Sequence, residues 1–136
     1  MKTTEEWLLE WEGYKPFIYK CTQDVWTVGV GRVVEEGKGP GLSRDEAMYL
    51  LRNDIERVTG ELESKFPWFS DLSQDRKTAI VSMAFQLGMN GLLKFKNALK
   101  SMEEGDFEAA AANFLDSLWA KQTPNRASQV AALISG

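Results

Sequence analysis

A chain of 136 residues fits one domain, and 43% hydrophobic content with five Trp and seven Phe suffices for a substantial core. A formal net charge of −4, a pI near 4.9 and scattered basic residues leave no footprint for a nucleic-acid backbone, so no nucleic-acid partner is expected. One cysteine excludes an internal disulfide, and the lack of histidine removes zinc-site and Ser-His-Asp readings, so no metal or cofactor is expected.

At the N-terminus, Thr3 with Glu6 fits a capping box. Trp7, Leu8 and Trp11 then share one face of a short amphipathic helix that should end near Glu12 and Gly13. The acids of "MKTTEEWLLEWEG" stand where a signal peptide would have its apolar run, and no window approaches the roughly 20 apolar residues of a membrane span. The expectation is therefore a protein without an export signal and without membrane insertion. From Phe17 to Gly31 the period changes to two, with "CTQD" as the turn, which predicts a β-hairpin or three-stranded meander. Strand alternation is expected to turn Thr27 outward, toward a cleft, while Trp26 and Val28 fill the core of this small lobe.

The Gly/Pro-rich stretch "EEGKGPGLS" separates this region from sequence that is helical throughout. Ser43 and Glu46 form a second capping box ahead of Ala47, Leu50, Leu51, Ile55, Val58 and Leu62. "FPWF" interrupts, and a helix from Ser73 to Leu87 should stop at Gly88. Further helices are predicted over Leu92 to Met102, Phe107 to Trp119 with Asp106 as cap, and Pro124 to Ile134. The fold class is thus α+β: residues 1–42 a small helix-and-β lobe, 43–64 a linker helix, 65–136 a helical lobe, together one domain. Two unlike lobes should make a cleft, where polymer and small-molecule sites tend to lie.

Taken singly, the polar residues of the first lobe say little. Glu12 reads as a solvated helix-end carboxylate, or as a general acid whose pKa desolvation beside Trp11 and Tyr14 could raise. Cys21 alone is more often a small apolar residue than a nucleophile, and Thr27 alone is ordinary strand content. Their spacing carries more: Glu12, eight residues, Cys21, five residues, Thr27, then "VGVGR".

That spacing resembles the bacteriophage-type lysozymes, whose pattern is Glu, eight residues, Asp or less often Cys, five residues, Thr, then Gly-x-Gly and His or Arg. The resemblance continues through "RDEAMYLLRND", similar to the family's linker helix, "AFQLG", similar to its cleft helix, and "WAKQTPNRA", similar to its late signature. It implies a lysozyme-like fold, monomeric, with the peptidoglycan saccharide chain as partner. Two departures stand out. Cys21 takes the place of the commoner aspartate, and both the Gly31-to-Ser43 segment and the C-terminal end are shorter than in longer members, which should leave fewer contacts between the last helices and the first.

The resemblance implies hydrolysis of the β-1,4 bond between N-acetylmuramic acid and N-acetylglucosamine, with Glu12 protonating the leaving oxygen, Cys21 as base or nucleophile, and Thr27 holding water. It further implies that Phe85, Gln86, Asn113, Trp119 and Arg126 line or brace the saccharide site and that Gly31 offers backbone to the sugar. Gln86 reads equally as an N-acetyl contact or as a core amide with an internal partner. Arg126 resembles the family's arginine that pairs with the catalytic glutamate. Arg32 is expected to pair with Asp54, fastening the hairpin to the linker helix. Such an enzyme would be made in a host cytoplasm and reach the wall after holin-mediated release or as part of a virion. The acidic balance argues for weak wall affinity. The competing reading is a catalytically weak murein-binding or virion structural module of the same fold. A helical scaffold would have no use for the Glu12, Cys21 and Thr27 spacing.

Overall fold

Thr3 starts the first helix as its sequence requires: its hydroxyl accepts from the Glu6 amide while the Glu6 carboxylate accepts from the Thr3 amide, giving α1 (Thr4–Glu12) a complete capping box. The computed structural model describes all 136 residues, in two units, Met1–Leu50 and Leu51–Gly136. The boundary falls inside the predicted linker helix.

In the first unit, α1 is followed by an antiparallel sheet of β1 (Lys15–Lys20), β2 (Trp26–Gly29) and β3 (Arg32–Val33), in that order. Tyr19 opposes Thr27, Lys20 opposes Trp26, and Val28 opposes Arg32. Thr27 is the one buried residue of this unit, at 2% exposure, whereas Trp26 is 40% exposed. Trp26 therefore does not fill a core as expected: it lies outward, its ring beneath the Lys20 ammonium at 5.2 Å, and the buried side chain of β2 is Thr27. Alternation fixes that the two side chains part company, but not which one faces inward.

The helix α2 (Arg44–Lys65) begins with the predicted box: the Glu46 amide donates to the Ser43 hydroxyl at 3.1 Å and the Ser43 amide donates to the Glu46 carboxylate at 2.9 Å. Of its apolar positions only Val58 and Leu62 are buried.

In the second unit, a short 3₁₀ turn (Phe69–Asp71) precedes α3 (Gln74–Leu92), and the backbone breaks at Gly88, where φ is 73° and ψ 166°, as the sequence predicted. The remaining helices are α4 (Lys96–Glu104), α5 (Phe107–Leu115), α6 (Leu118–Gln122) and α7 (Pro124–Ser135). Two boundaries differ from expectation. The chain turns through Leu93–Phe95, so α4 starts four residues later than Leu92. The helix expected over Phe107 to Trp119 is split because the Ser117 hydroxyl donates to the Phe114 carbonyl at 2.6 Å and accepts from the Ala120 amide at 3.2 Å, ending α5 and starting α6 with one side chain.

Around these helices the core closes on Leu62, Phe69, Ile80, Met83, Leu92, Met102, Phe114 and Ile134, all fully buried. Ala110 and Ala111 of α5 and Ala127 and Ala131 of α7 are buried too, and these small residues let the two helices lie close. Arg76 ties α3 to the end of α7, its Nε donating to the Ile134 carbonyl at 2.7 Å while its guanidinium lies 3.6 Å above the Phe107 ring.

Burial decides which phenylalanines matter. Phe114→Ala should cost about 3–5 kcal/mol by urea unfolding, whereas Phe17→Ala, at a site 81% exposed, should leave the unfolding midpoint near that of the wild type.

Candidate active site

Glu12 is the last residue of α1, and Gly13, with φ at 72°, ends the helix while its amide still reaches the Leu9 carbonyl at 2.9 Å. The Glu12 side chain is exposed and lies against Gly31. A Cβ at Gly31 would stand 2.7 Å from Glu12 Oε2 and 3.0 Å from Cδ, and Gly31 itself has φ at 70°. Glycine is required there on two counts, by the left-handed backbone and by the close approach of the carboxyl group. An open depression of about 570 Å³ is lined by Glu5, Leu8, Leu9, Glu12, Val30 and Gly31, so the carboxyl faces a largely apolar wall.

Immediately after Gly31, Arg32 reaches the start of α2. Its Nη1 donates to the Gly41 carbonyl at 2.9 Å and to Glu46 Oε1 at 2.8 Å, and its Nη2 to Glu46 Oε2 at 2.5 Å. The expected Arg32–Asp54 pair is therefore corrected: Asp54 accepts from Arg57 at 3.3 Å, and the partner of Arg32 is Glu46. Glu46 was read only as a capping residue; the sequence pattern that named it a cap carried no sign of this second bond. The Arg32 guanidinium, helped by the Ser43 amide and hydroxyl, pulls the Glu46 carboxyl down to about 2.

Cys21 opens the β1–β2 loop. Its amide donates to the Val25 carbonyl at 3.0 Å and its carbonyl accepts from the Asp24 amide at 2.8 Å, folding residues 21–25 back on themselves with Asp24 at φ 60°. The amides of Gln23 and then Val25 favour the ionised sulfur, against a desolvation that opposes it, and the Thr27 hydroxyl adds to the same effect, so the thiol pKa is lowered. Thr27 Oγ1 donates to the Val25 carbonyl at 2.9 Å. The structure thus brings Cys21 together with Thr27, and Glu12 together with Gly31. The amides of Gln23 and Val25 were not foreseen, since a sequence names side chains and not the direction of turn amides.

In the second unit, Gln86 has an internal partner. Its Oε1 accepts from the Trp119 indole at 3.0 Å, and because an indole nitrogen only donates, the amide is oriented with its two N–H bonds free to point elsewhere. Trp119 is 6% exposed and meets the Phe95 ring edge-on at 6.0 Å. Trp119 and Asn113 border a depression of about 580 Å³ that also holds Phe95, Lys94, Lys96 and Ser117. Phe85 and Arg126 border another, of about 590 Å³, with Ile55 and Val81. Arg126 Nη2 donates to the Ser82 carbonyl at 3.0 Å and to its hydroxyl at 2.8 Å, so the partner found for this arginine is Ser82.

Residues 9–135 match the phage lysozyme family. The chain belongs to that family. Among its relatives, a probable T4-type lysozyme 1 of Dictyostelium discoideum is 32% identical, covering 90% of this chain and 88% of the relative. The endolysin of Acyrthosiphon pisum secondary endosymbiont phage 1 is 30% identical over 85% of this chain and 75% of its own length. The pre-baseplate central spike protein Gp5 of Enterobacteria phage T4 is 34% identical over 77% of this chain, which corresponds to 19% of that larger protein. Membership makes this phage lysozyme an enzyme with a peptidoglycan-degrading role. No helix in it is long and apolar enough to cross a membrane.

Two titrations follow from this geometry. Thiolate absorbance should show Cys21 ionising below the range of an ordinary thiol, and Thr27→Val should move that ionisation back up. An unshifted thiol would mean that the loop amides do not act on the sulfur. For Glu46, whose folded pKa is depressed, the contribution to stability is full above the ordinary carboxylate range and is lost as pH falls toward about 2. The stability difference between wild type and Glu46→Gln should therefore shrink over that acid window, read from unfolding midpoints.

Proposed function

We propose that this phage lysozyme hydrolyses the β-1,4 bond between N-acetylmuramic acid and N-acetylglucosamine, with Glu12 as general acid and Cys21 as its partner group. The observation that carries the reading is the Glu12 carboxyl held against the bare Cα of Gly31, beside an apolar depression open enough to admit a glycosidic oxygen. Glu12 gives its proton to the leaving oxygen as the bond to the anomeric carbon breaks. The Cys21 thiolate takes a proton from water, and that water attacks the anomeric carbon from the opposite face, inverting its configuration.

The base role suits the sulfur better than direct attack. A thiolate needs help to exist at neutral pH, and the Gln23 and Val25 amides supply it. Direct attack would leave a carbon–sulfur bond at the anomeric centre, which a second water, deprotonated by the now ionised Glu12, would have to break with the thiolate leaving. Thr27, buried beneath the loop, steadies the thiolate through its hydroxyl rather than meeting bulk water. In the second unit, the free N–H bonds of Gln86 suit an acetamido carbonyl, with Trp119 fixing the amide orientation, and Asn113 offers a polar group in the depression that Trp119 borders. Phe85 gives an exposed apolar face to a sugar ring, and Arg126 braces α3 through Ser82. No cofactor enters these steps. The chain acts as a monomer, either in host lysis or within a virion; relatives named endolysin and central spike protein support both settings.

The test is clearing of chloroform-treated Gram-negative cells. Glu12→Gln should reduce turnover by about 10²–10⁴-fold at unchanged helix content. Clearing by this variant at the wild-type rate would remove Glu12 from the chemistry. Cys21→Ala should be severely impaired, and Cys21→Asp should stay active with its acid-side limb moved toward carboxylate values. A Cys21→Ala variant as fast as wild type across the pH range would reduce the thiol to packing.

A further inference from the structure

We infer that the Arg32–Glu46 ion pair is a positioning device for the general acid. It acts through Gly31, and so the inference rests on the proposed role of Glu12. The argument is one of connectivity within the first unit. The Glu12 carboxyl is exposed and has no hydrogen-bonding side chain of its own; what fixes its surroundings is the backbone of Gly31. Gly31 sits in the two-residue connection Val30-Gly31 that follows Gly29, the last residue of β2; both glycines have positive φ, 69° and 70°, and glycine is the residue least able to hold one conformation unaided. The sheet restrains this turn at Gly29, opposite Lys15, and at Val28, opposite Arg32, but on the Arg32 side the strand β3 is just two residues long.

Arg32 supplies what the short strand lacks. Three donor–acceptor bonds tie its guanidinium to the Gly41 carbonyl and to both carboxylate oxygens of Glu46. A bidentate fork fixes direction as well as distance, which a lysine ammonium does not. Glu46 is itself held by the Ser43 amide, so the anchor is the capped N-terminus of a 22-residue helix rather than a mobile loop. The residue next to Gly31 is therefore moored to the capped start of α2. If the mooring fails, the Gly29–Gly31 turn is free to move, and the surface against which Glu12 rests moves with it. Both partners are more than a third exposed, so solvent screens the pair and its contribution to stability is small beside this geometric role.

The experiment separates positioning from folding. Arg32→Gln removes the fork, Arg32→Lys keeps the charge without the fork, and Glu46→Gln keeps one cap oxygen for Ser43 while halving the clamp. Arg57→Gln, which breaks the exposed pairs to Asp54 and Glu61, serves as a surface-charge control. Each variant is assayed for kcat and KM on purified peptidoglycan, with helix content confirmed by circular dichroism. Independently of activity, the nuclear Overhauser contact between the Gly31 α-protons and the Glu12 side-chain methylenes reports their proximity. The expected result is a fall in kcat of about tenfold or more for Arg32→Gln, with KM within about twofold, partial recovery in Arg32→Lys, and no change in Arg57→Gln. The Gly31–Glu12 contact should weaken in the same order. A wild-type kcat and an intact contact in a folded Arg32→Gln would overturn the inference. Loss of activity in the wild type itself would instead strike the reading of Glu12, and the proximity measurement would still judge the clamp.

Discussion

The close approach of the Glu12 carboxyl to the Cα of Gly31 is the constraint on which the first unit depends. Only glycine leaves room for it, and only glycine tolerates the backbone angle that brings it about. Each neighbouring feature serves that contact. The capping box at Thr3 fixes where α1 begins, Gly13 turns the chain at once after Glu12, and the β2–β3 turn carries Gly31 to its place. None of this draws on a conventional core, for Thr27 is the sole buried residue in the unit. Local hydrogen bonds and left-handed glycines do here what side-chain packing does in the second unit.

In the proposed mechanism, a thiol where a carboxylate is the commoner choice changes the energetics of the group that partners Glu12. A carboxylate is ionised at neutral pH without assistance, whereas a thiol is mostly protonated unless its surroundings favour the anion. The tight Cys21–Val25 loop answers this with backbone amides, which carry no net charge and need no histidine, a residue this chain lacks altogether. Thr27 adds to this with a hydroxyl that donates to the Val25 carbonyl and favours the ionised sulfur. The same loop would serve an aspartate equally well, since amides that stabilise a thiolate stabilise a carboxylate too.

Features written in short-range sequence were legible. Thr3 and Ser43 announced their capping boxes, Asp106 its cap, Pro124 a first turn and Gly88 a break, because each acts on atoms within a few residues. Features that depend on where the chain returns were not. Arg32 was assigned to Asp54 on helix position, but the path of the Gly-rich segment brings it to Glu46. Trp26 was expected to fill a core but lies outward, and the buried side chain is Thr27, since alternation is blind to which face is covered. The break at Ser117 needed a hydroxyl that satisfies two helix ends at once, which no propensity describes. Gln86 had both of its readings open, and the Trp119 indole shows that an internal partner and free donors coexist in one side chain.

The central claim is hydrolysis of one particular glycosidic bond, and the identity of the new chain end tests it most directly. Purified peptidoglycan digested by the enzyme, reduced with borohydride and resolved by mass spectrometry should yield fragments ending in reduced N-acetylmuramic acid. Fragments ending in reduced N-acetylglucosamine, or in anhydromuramic acid formed without water, would contradict the account.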